Sequence, residues 1–329
     1  MQEADLTINQ YADKKGAMYT IRLLPVLFGA LLAASPAHAV ESIEIGTGAR
    51  GENYYSVGGA ICRMVNDAHP SECAIEPTTG SRDNLFALNI KDVEFAIVQA
   101  DMQRAAYQGS HEIDGEYANL RSVASVYTEV LTVVTRAGSD IERFDDLAGR
   151  RVAAGSLHSG SRWTFRAAMK ILGMVEDDLA DFSPVPAFEG GEALCEGEFD
   201  ALVMMTGHPS VILSHLGDIC DIRIVGFDRA EVDAMTGPGA MYRHATIPAG
   251  TYPFAAEPIS TIGTDATLVT VEEVPDALVD MVLMAIFGDL DTFRRQQHVI
   301  APALWWDIER GAPLHPAAKQ FYRERDPVQ

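Results

Sequence analysis

Four glycine- and serine-rich turns are the places in this chain where chemistry could be done. They are Gly46-Thr47-Gly48-Ala49-Arg50-Gly51, Thr78-Thr79-Gly80-Ser81, Gly155-Ser156-Leu157-His158-Ser159-Gly160-Ser161 and Thr206-Gly207-His208-Pro209. Each follows a short β-like run and precedes a helical pattern. The first N–H groups of a helix lack intrahelical partners and sit at the positive end of the helix dipole. Several such starts gathered at the carboxyl ends of strands suit a small anion.

Within the turns, individual side chains have two readings each. Gly46-x-Gly48-x-x-Gly51 matches the letters of the dinucleotide fingerprint. The next strand offers only Glu76 as an acid for a ribose, and Tyr54 and Tyr55 would crowd a pyrophosphate. The glycines therefore read as a tight turn around a smaller ligand, with the tyrosines as an aromatic wall or as packing between lobes. Ser81 reads as an N-cap, Arg82 as a cation near a helix start, and Asn84 as an amide facing a cleft. Gln99 and Asp101 lie past the end of a buried strand. Asp101 either takes a ligand ammonium or caps a helix over Met102–Tyr107. Ser156, Ser159, Gly160 and Ser161 surround another helix start, with Arg162 one step on. His208, before Pro209, touches the ligand or is structural.

Other chemistries find little support. No G-x-S-x-G elbow accompanies the serines. No H-E-x-x-H or EF-hand spacing occurs, so neither metal nor cofactor is expected.

Residues 18–39 read as a secretory signal: Met18, then Arg22, an apolar run Leu23–Ala34, and Ala37-His38-Ala39 as a cleavage site. The 17 residues before Met18 look unlike a signal's start, and translation from Met18 is the favoured reading. The apolar run is too short to span a bilayer comfortably. Export favours disulfides among Cys62, Cys73, Cys195 and Cys220. Of the three pairings that four cysteines allow, Cys62–Cys73 and Cys195–Cys220 close short loops within one half of the chain.

The 329 residues less the first 39 leave about 290, which suits two domains. The net charge of −22 argues against nucleic acid and anionic membrane surfaces. It also means that any bound anion needs local dipoles and one or two placed cations, with Arg50 and Arg82 as candidates.

The elements that must position these turns alternate strand and helix. Val57, Ala60, Ile61, Met64, Val65 and Ala68 recur at helical spacing. Asn84–Ile90 and Trp163–Leu172 read as helices. Ser42–Ile45, Ala74–Pro77, Val93–Val98, Arg151–Ala154, Asp200–Met204 and Ile222–Val225 read as strands. Pro209 reads as the first residue of a helix, Phe144–Gly149 as a turn and Gly237–Pro258 as loop. Arg121–Thr135 and Ser260–Thr270 are β-rich runs, the first long enough to leave one lobe and enter another. Val274–Phe287 and Leu290–Gln297 read as helices, and Ala301–Gln329 as helix and loop. The result is an α/β chain of two lobes joined by two crossovers around a cleft that can hinge shut. Residues 40–128 plus 256–329 would form lobe 1, and 129–255 lobe 2, after an extension and signal at 1–39.

The run from Gly46 through Tyr54, Tyr55 and Ser56 to Gly59 resembles the opening of the TAXI family, the solute-binding proteins of TRAP transporters. Thr79-Gly80-Ser81-Arg82-Asp83-Asn84-Leu85, Phe95–Asp101 with Tyr107-Gln108-Gly109, and Asp145–Val152 with Gly155, Ser156, Ser159 and Gly160 follow in the same order. Many members carry a second Gly where Ser81 stands. The resemblance implies a type II periplasmic binding fold and a monomer that captures a small organic acid or amino acid, glutamate-like or dicarboxylate-like. It implies delivery to a TRAP permease and no catalysis. By resemblance, the loop Thr47–Tyr55 with Thr47, Gly48, Asn53, Tyr54 and Tyr55, the Ser81–Asn84 turn, Gln99–Asp101 and Ser156–Ser161 line the cleft. A periplasmic sensing subunit and an exported enzyme acting on a small acid are the alternatives.

Overall fold

The computed structural model describes residues 42–69, 72–110, 112–113, 117–296, 299 and 311–325. The expected signal at 18–39, the extension before it and residues 301–310 lie outside the described residues.

The first third of the chain builds β1 (Ser42–Gly46), α1 (Asn53–Ala68), β2 (Glu72–Glu76), α2 (Ser81–Asn89), β3 (Phe95–Gln99) and α3 (Ala100–Tyr107). The long β4 (Leu120–Arg136) follows, then a 3-10 turn at Phe144–Leu147, β5 (Arg151–Ala153) and α4 (Gly160–Leu172). Next come β6 (Asp181–Ser183), α5 (Ala187–Glu196), β7 (Ala201–Thr206), α6 (Val211–Ile219), β8 (Ile222–Val225) and α7 (Arg229–Met235). The chain returns through β9 (Arg243–Ile247) and β10 (Ile259–Val271) to α8 (Asp276–Gly288), α9 (Leu290–Gln296) and α10 (Pro316–Glu324).

The strands run in the order β2-β1-β3-β10-β4-β7-β5-β6, with β8 on β4 and β9 on β10. The two long strands make the crossings. β4 and β10 pair antiparallel from Leu120↔Val271 to Val130↔Gly263. Beyond that stretch β4 pairs with β7, from Val130↔Thr206 to Thr135↔Ala201, while β10 pairs with β9. One apolar core gathers residues from Ile43 to Tyr127 and from Ala266 to Phe321. Two others, both drawn from residues between Val130 and Ile262, cover the rest of the sheet. These separate cores mark the two lobes of the fold, and each strand crosses from one to the other once.

Several elements differ from the sequence expectation. α1 starts at Asn53, four residues before Val57, so both tyrosines are helical. Gly51, at φ 90°, makes the sharp turn that precedes it. α6 starts after Ser210, and Pro209 lies outside the helix. The stretch expected as loop holds β9, which exists because the edge of β10 supplies its hydrogen bonds. β6 and α7 were not expected, nor was α5, whose Gly190-Gly191 pair lowers helix propensity. The glycines are needed there: a Cβ on Gly191 would stand 2.6 Å from Leu216 Cδ1, and one on Gly190 3.1 Å from Ala153 Cβ.

Both expected disulfides form, Cys62–Cys73 from α1 to β2 and Cys195–Cys220 from α5 to the end of α6. Among the described residues, no helix is long and apolar enough to cross a membrane.

Candidate functional site

The ends of β3 and β7 and the starts of α1, α2, α4 and α6 meet around one cavity of about 50 Å³ between the lobes. Glu52, Asn53 and Tyr54 come from the start of α1, and Thr79, Gly80 and Ser81 from the start of α2. Ser156, Ser159, Gly160 and Ser161 come from the start of α4, and Thr206 and Ser210 from the end of β7 and the start of α6. Gln99, at the end of β3, and Tyr127 and Glu129, on the crossing strand β4, complete the polar lining.

The lobes touch directly across this cavity. Asn53 Nδ2 donates to Thr206 Oγ1 at 3.1 Å and to the Gly207 carbonyl at 3.1 Å. The Arg82 amide donates to the His158 carbonyl at 3.3 Å. The Asp83 carboxylate and His158 Nδ1 lie 2.8 Å apart. Gln99 Nε2 donates to Thr164 Oγ1 at 2.8 Å. Two glycines permit this closeness. A Cβ on Gly160 would stand 1.8 Å from Gln99 Oε1, and one on Gly80, at φ 123°, 3.3 Å from Ser159 Cα.

The sequence candidates divide in two. Asn53, Tyr54, Ser81, Gln99, Ser156, Ser159, Gly160 and Ser161 line the cavity. Thr47, Gly48, Tyr55, Arg82, Asn84, Asp101 and His208 do not, and each has other work. Thr47 is buried and donates to the Glu76 carbonyl at 3.0 Å. Gly48 is buried against Tyr54 and Glu52, which a Cβ there would meet at 3.3 Å and 2.9 Å. Tyr55 accepts a hydrogen bond from Arg50 at 2.8 Å on the outer surface. Asn84 is fully buried, and its amide donates to the Thr47 and Ile97 carbonyls at 2.7 Å each. It pins the first turn to β3 rather than facing the cleft.

Ser81 is the first helical residue of α2, not its cap, which is Gly80. Its hydroxyl accepts instead from the Gln99 amide at 3.1 Å. Asp101 is held inside the protein by four donors: the Met102 amide, Gln99 Nε2, Thr164 Oγ1 and Tyr242 Oη. Burial pushes its pKa up, and those hydrogen bonds pull it back. His208 bridges Thr132 Oγ1 at 3.0 Å and Tyr252 Oη at 2.7 Å. Burial pushes its imidazole down to about 4, so it is neutral at physiological pH.

The cations expected at the pocket are elsewhere. Arg50 lies over the Tyr55 ring, and Arg82 is outside the cavity lining. Arg162, one step past the α4 turn, stacks on Phe182 at 3.6 Å from the ring centroid, away from the cavity. Among the described residues, no Arg, Lys or His lines the cavity.

Two acids line it instead: Glu52, inside the expected loop Thr47–Tyr55 but not singled out there, and Glu129, which the sequence reading passed over. Glu129 is 3% exposed, on β4. Tyr54 Oη donates to its Oε2 and Tyr127 Oη to its Oε1, each at 3.0 Å. These bonds favour the charged form, yet burial outweighs them and raises its pKa to about 8. Glu52 is raised to about 7, first by burial and secondarily by Glu189 on the facing lobe, against a hydrogen bond with the Ala49 backbone. The one signal that pointed to Glu129 was its place midway along an apolar strand long enough to join two lobes.

A description of known families matches residues 45–325 to the NMT1-like family. The fold is similar to that of a putative L-cystine ABC transporter from Listeria monocytogenes, with a TM-score of 0.51 at 14% identity, over 78% of this chain and 94% of that one. It is also similar to a protein from Bordetella bronchiseptica RB50, with a TM-score of 0.52 at 13% identity, over 86% of this chain and 98% of that one. The shared architecture is the two-lobed, type II periplasmic binding fold. By the match across residues 45–325, the chain belongs to the NMT1-like family.

Proposed function

We propose that the protein is an exported solute-binding component of a membrane transporter. It captures a small organic acid or amino acid between its lobes and delivers it to a permease. The observation that carries this reading is the cavity lined from both lobes, with Asn53, Gln99 and the Arg82 amide bridging its rim. A site whose walls belong to two bodies exists only when they close, so ligand affinity and closure are linked. The hinge would be the region where β4 and β10 cross.

The resemblance of the turns to the TAXI family supports a TRAP permease as the partner. The Listeria relative, described as a putative ABC transporter, is the reason to keep an ABC permease as the second reading. Binding rather than catalysis suits the lining. Among the described residues, no histidine lines the cavity beside the serines at α4: His158 pairs with Asp83 and His208 with Thr132 and Tyr252.

A thermal-shift screen of organic acids and amino acids on the purified protein tests the reading. A raised melting temperature with members of either class supports it. Stabilisation by sugars or polyamines alone, or by nothing, overturns it.

A further inference from the structure

Resting on the solute-binding reading, we infer that the captured solute carries a protonated amine seated against Glu129 and Glu52, with its polar or carboxylate end toward the opening turn of α4. Amino acids and other amines are then the ligand class, favoured over hydroxy acids of the same shape, and simple dicarboxylates are rejected.

The site is the cavity itself, closed by both lobes, and its charge decides what it takes. Glu129 and Glu52 reach it from the β4 crossing and the α1 turn. The other polar lining is neutral, the hydroxyls and amides of residues such as Asn53, Tyr54, Gln99, Tyr127 and Ser161. A second carboxylate brought in by a dicarboxylic solute would find two acids and no side-chain cation among the described lining residues. A charge buried with no counter-charge keeps its full desolvation cost. A single carboxylate has a place at Gly160 and Ser161, whose amides open α4 where helix geometry leaves N–H groups without intrahelical partners. An ammonium has a place at Glu129, which its two tyrosine donors leave able to accept further hydrogen bonds.

Among the described residues, the groups facing Glu129 supply it with no counter-charge. From α1 it meets the Tyr54 hydroxyl, from β4 the Tyr127 hydroxyl, and from β10 its cross-strand neighbour Thr264. Asp101 on α3 and Glu52 before α1 add negative potential, and Glu189 on α5 adds more at Glu52. Arg243 is bonded to Thr128 and Asp265, beside the neighbouring residue of β4 that faces the other way. Near neutral pH the unliganded Glu129, raised to about 8 by burial, holds its proton. An ammonium arriving at Glu129 replaces its carboxyl proton, which passes to bulk water as the carboxylate–ammonium pair forms. Capture is therefore accompanied by proton release.

The test compares matched ligands that differ only in the amine: glycine with glycolate, L-alanine with L-lactate, and 4-aminobutyrate with 4-hydroxybutyrate. The best binder is then titrated calorimetrically at pH 7 in phosphate and in Tris, whose ionisation enthalpies differ. The expected result is stronger stabilisation by each amine than by its hydroxy acid, net proton release, and at least a tenfold weaker Kd in Glu129→Gln with the unliganded melting temperature unchanged or raised. Preference for the hydroxy acids, or capture of an amine without proton release, overturns the inference and leaves the solute-binding reading standing. Binding of neither set, nor of any acid or amino acid, overturns both.

Discussion

Tyr242 Oη donates to Asp101 Oδ2 at 2.8 Å, tying the strand-entry loop of lobe 2 to the first turn of α3 in lobe 1. Thr164 Oγ1, from α4, donates to the same oxygen at 3.0 Å. A buried carboxylate thus joins the lobes beside the cavity rather than within it. Nearby, Arg104 Nη1 donates to the Gly239 carbonyl at 3.2 Å, extending the same seam.

Removing one donor from this carboxylate leaves part of its desolvation cost uncompensated. Tyr242→Phe is expected to lower stability by about 1–3 kcal/mol. Urea unfolding measures this, and Asp101→Asn with Tyr242→Phe forms a cycle whose coupling should be non-additive. Additive effects would mean that the bond contributes nothing to holding the lobes together.

Gly160 is where the lobes come closest. A Cβ there would stand 1.8 Å from Gln99 Oε1, so Gly160→Ala must either displace Gln99 or open the cleft. The expected outcome is a larger radius of gyration by small-angle scattering and a Kd raised at least tenfold. Alanine is a better helix former than glycine, so the melting temperature of α4's own lobe should not suffer. An unchanged scattering curve together with unchanged affinity would contradict this.

Two buried groups set opposite limbs of the pH profile. Glu129 titrates near 8 in the folded protein against an ordinary 4.5, so the native state binds more protons than the unfolded chain across that window. Its contribution to stability is complete below about 4.5 and is lost as pH rises through 8. His208 titrates near 4 against an ordinary 6.5, so its contribution is complete above 6.5 and is lost as pH falls through 4. Melting temperatures measured from pH 4 to 9 should fall at both ends. Glu129→Gln should flatten only the alkaline limb, and His208→Gln only the acid one.

Each disulfide restricts the unfolded chain. The bonds close loops of sequence separation 11 and 25. Chain-entropy estimates for loops of this size are about 3 kcal/mol each. Reduction with dithiothreitol should lower the melting temperature by an amount that Cys62→Ser with Cys73→Ser, and Cys195→Ser with Cys220→Ser, reproduce in parts.

The sequence alone determined the alternating strands and helices, the two lobes, the crossing strand, the disulfide pairing and the four turns at helix starts. These follow from local rules: periodicity over a dozen residues, the turn chemistry of Gly and Ser, and short loops between cysteines. Only the tertiary structure decided which side chains face the cavity. Asn84 looked like a cleft amide and instead anchors the Thr47 and Ile97 carbonyls. Arg50 and Arg82 are near the turns in sequence but outside the cavity lining. Glu129 read as one polar position in an apolar strand. It reaches the site because β4 leaves one lobe there and because Tyr54, 75 residues earlier, folds back to meet it. The bond from Asn53 to Thr206 spans 153 residues. Contacts of that separation set the direction, burial and charge state of a side chain, and no local pattern encodes them.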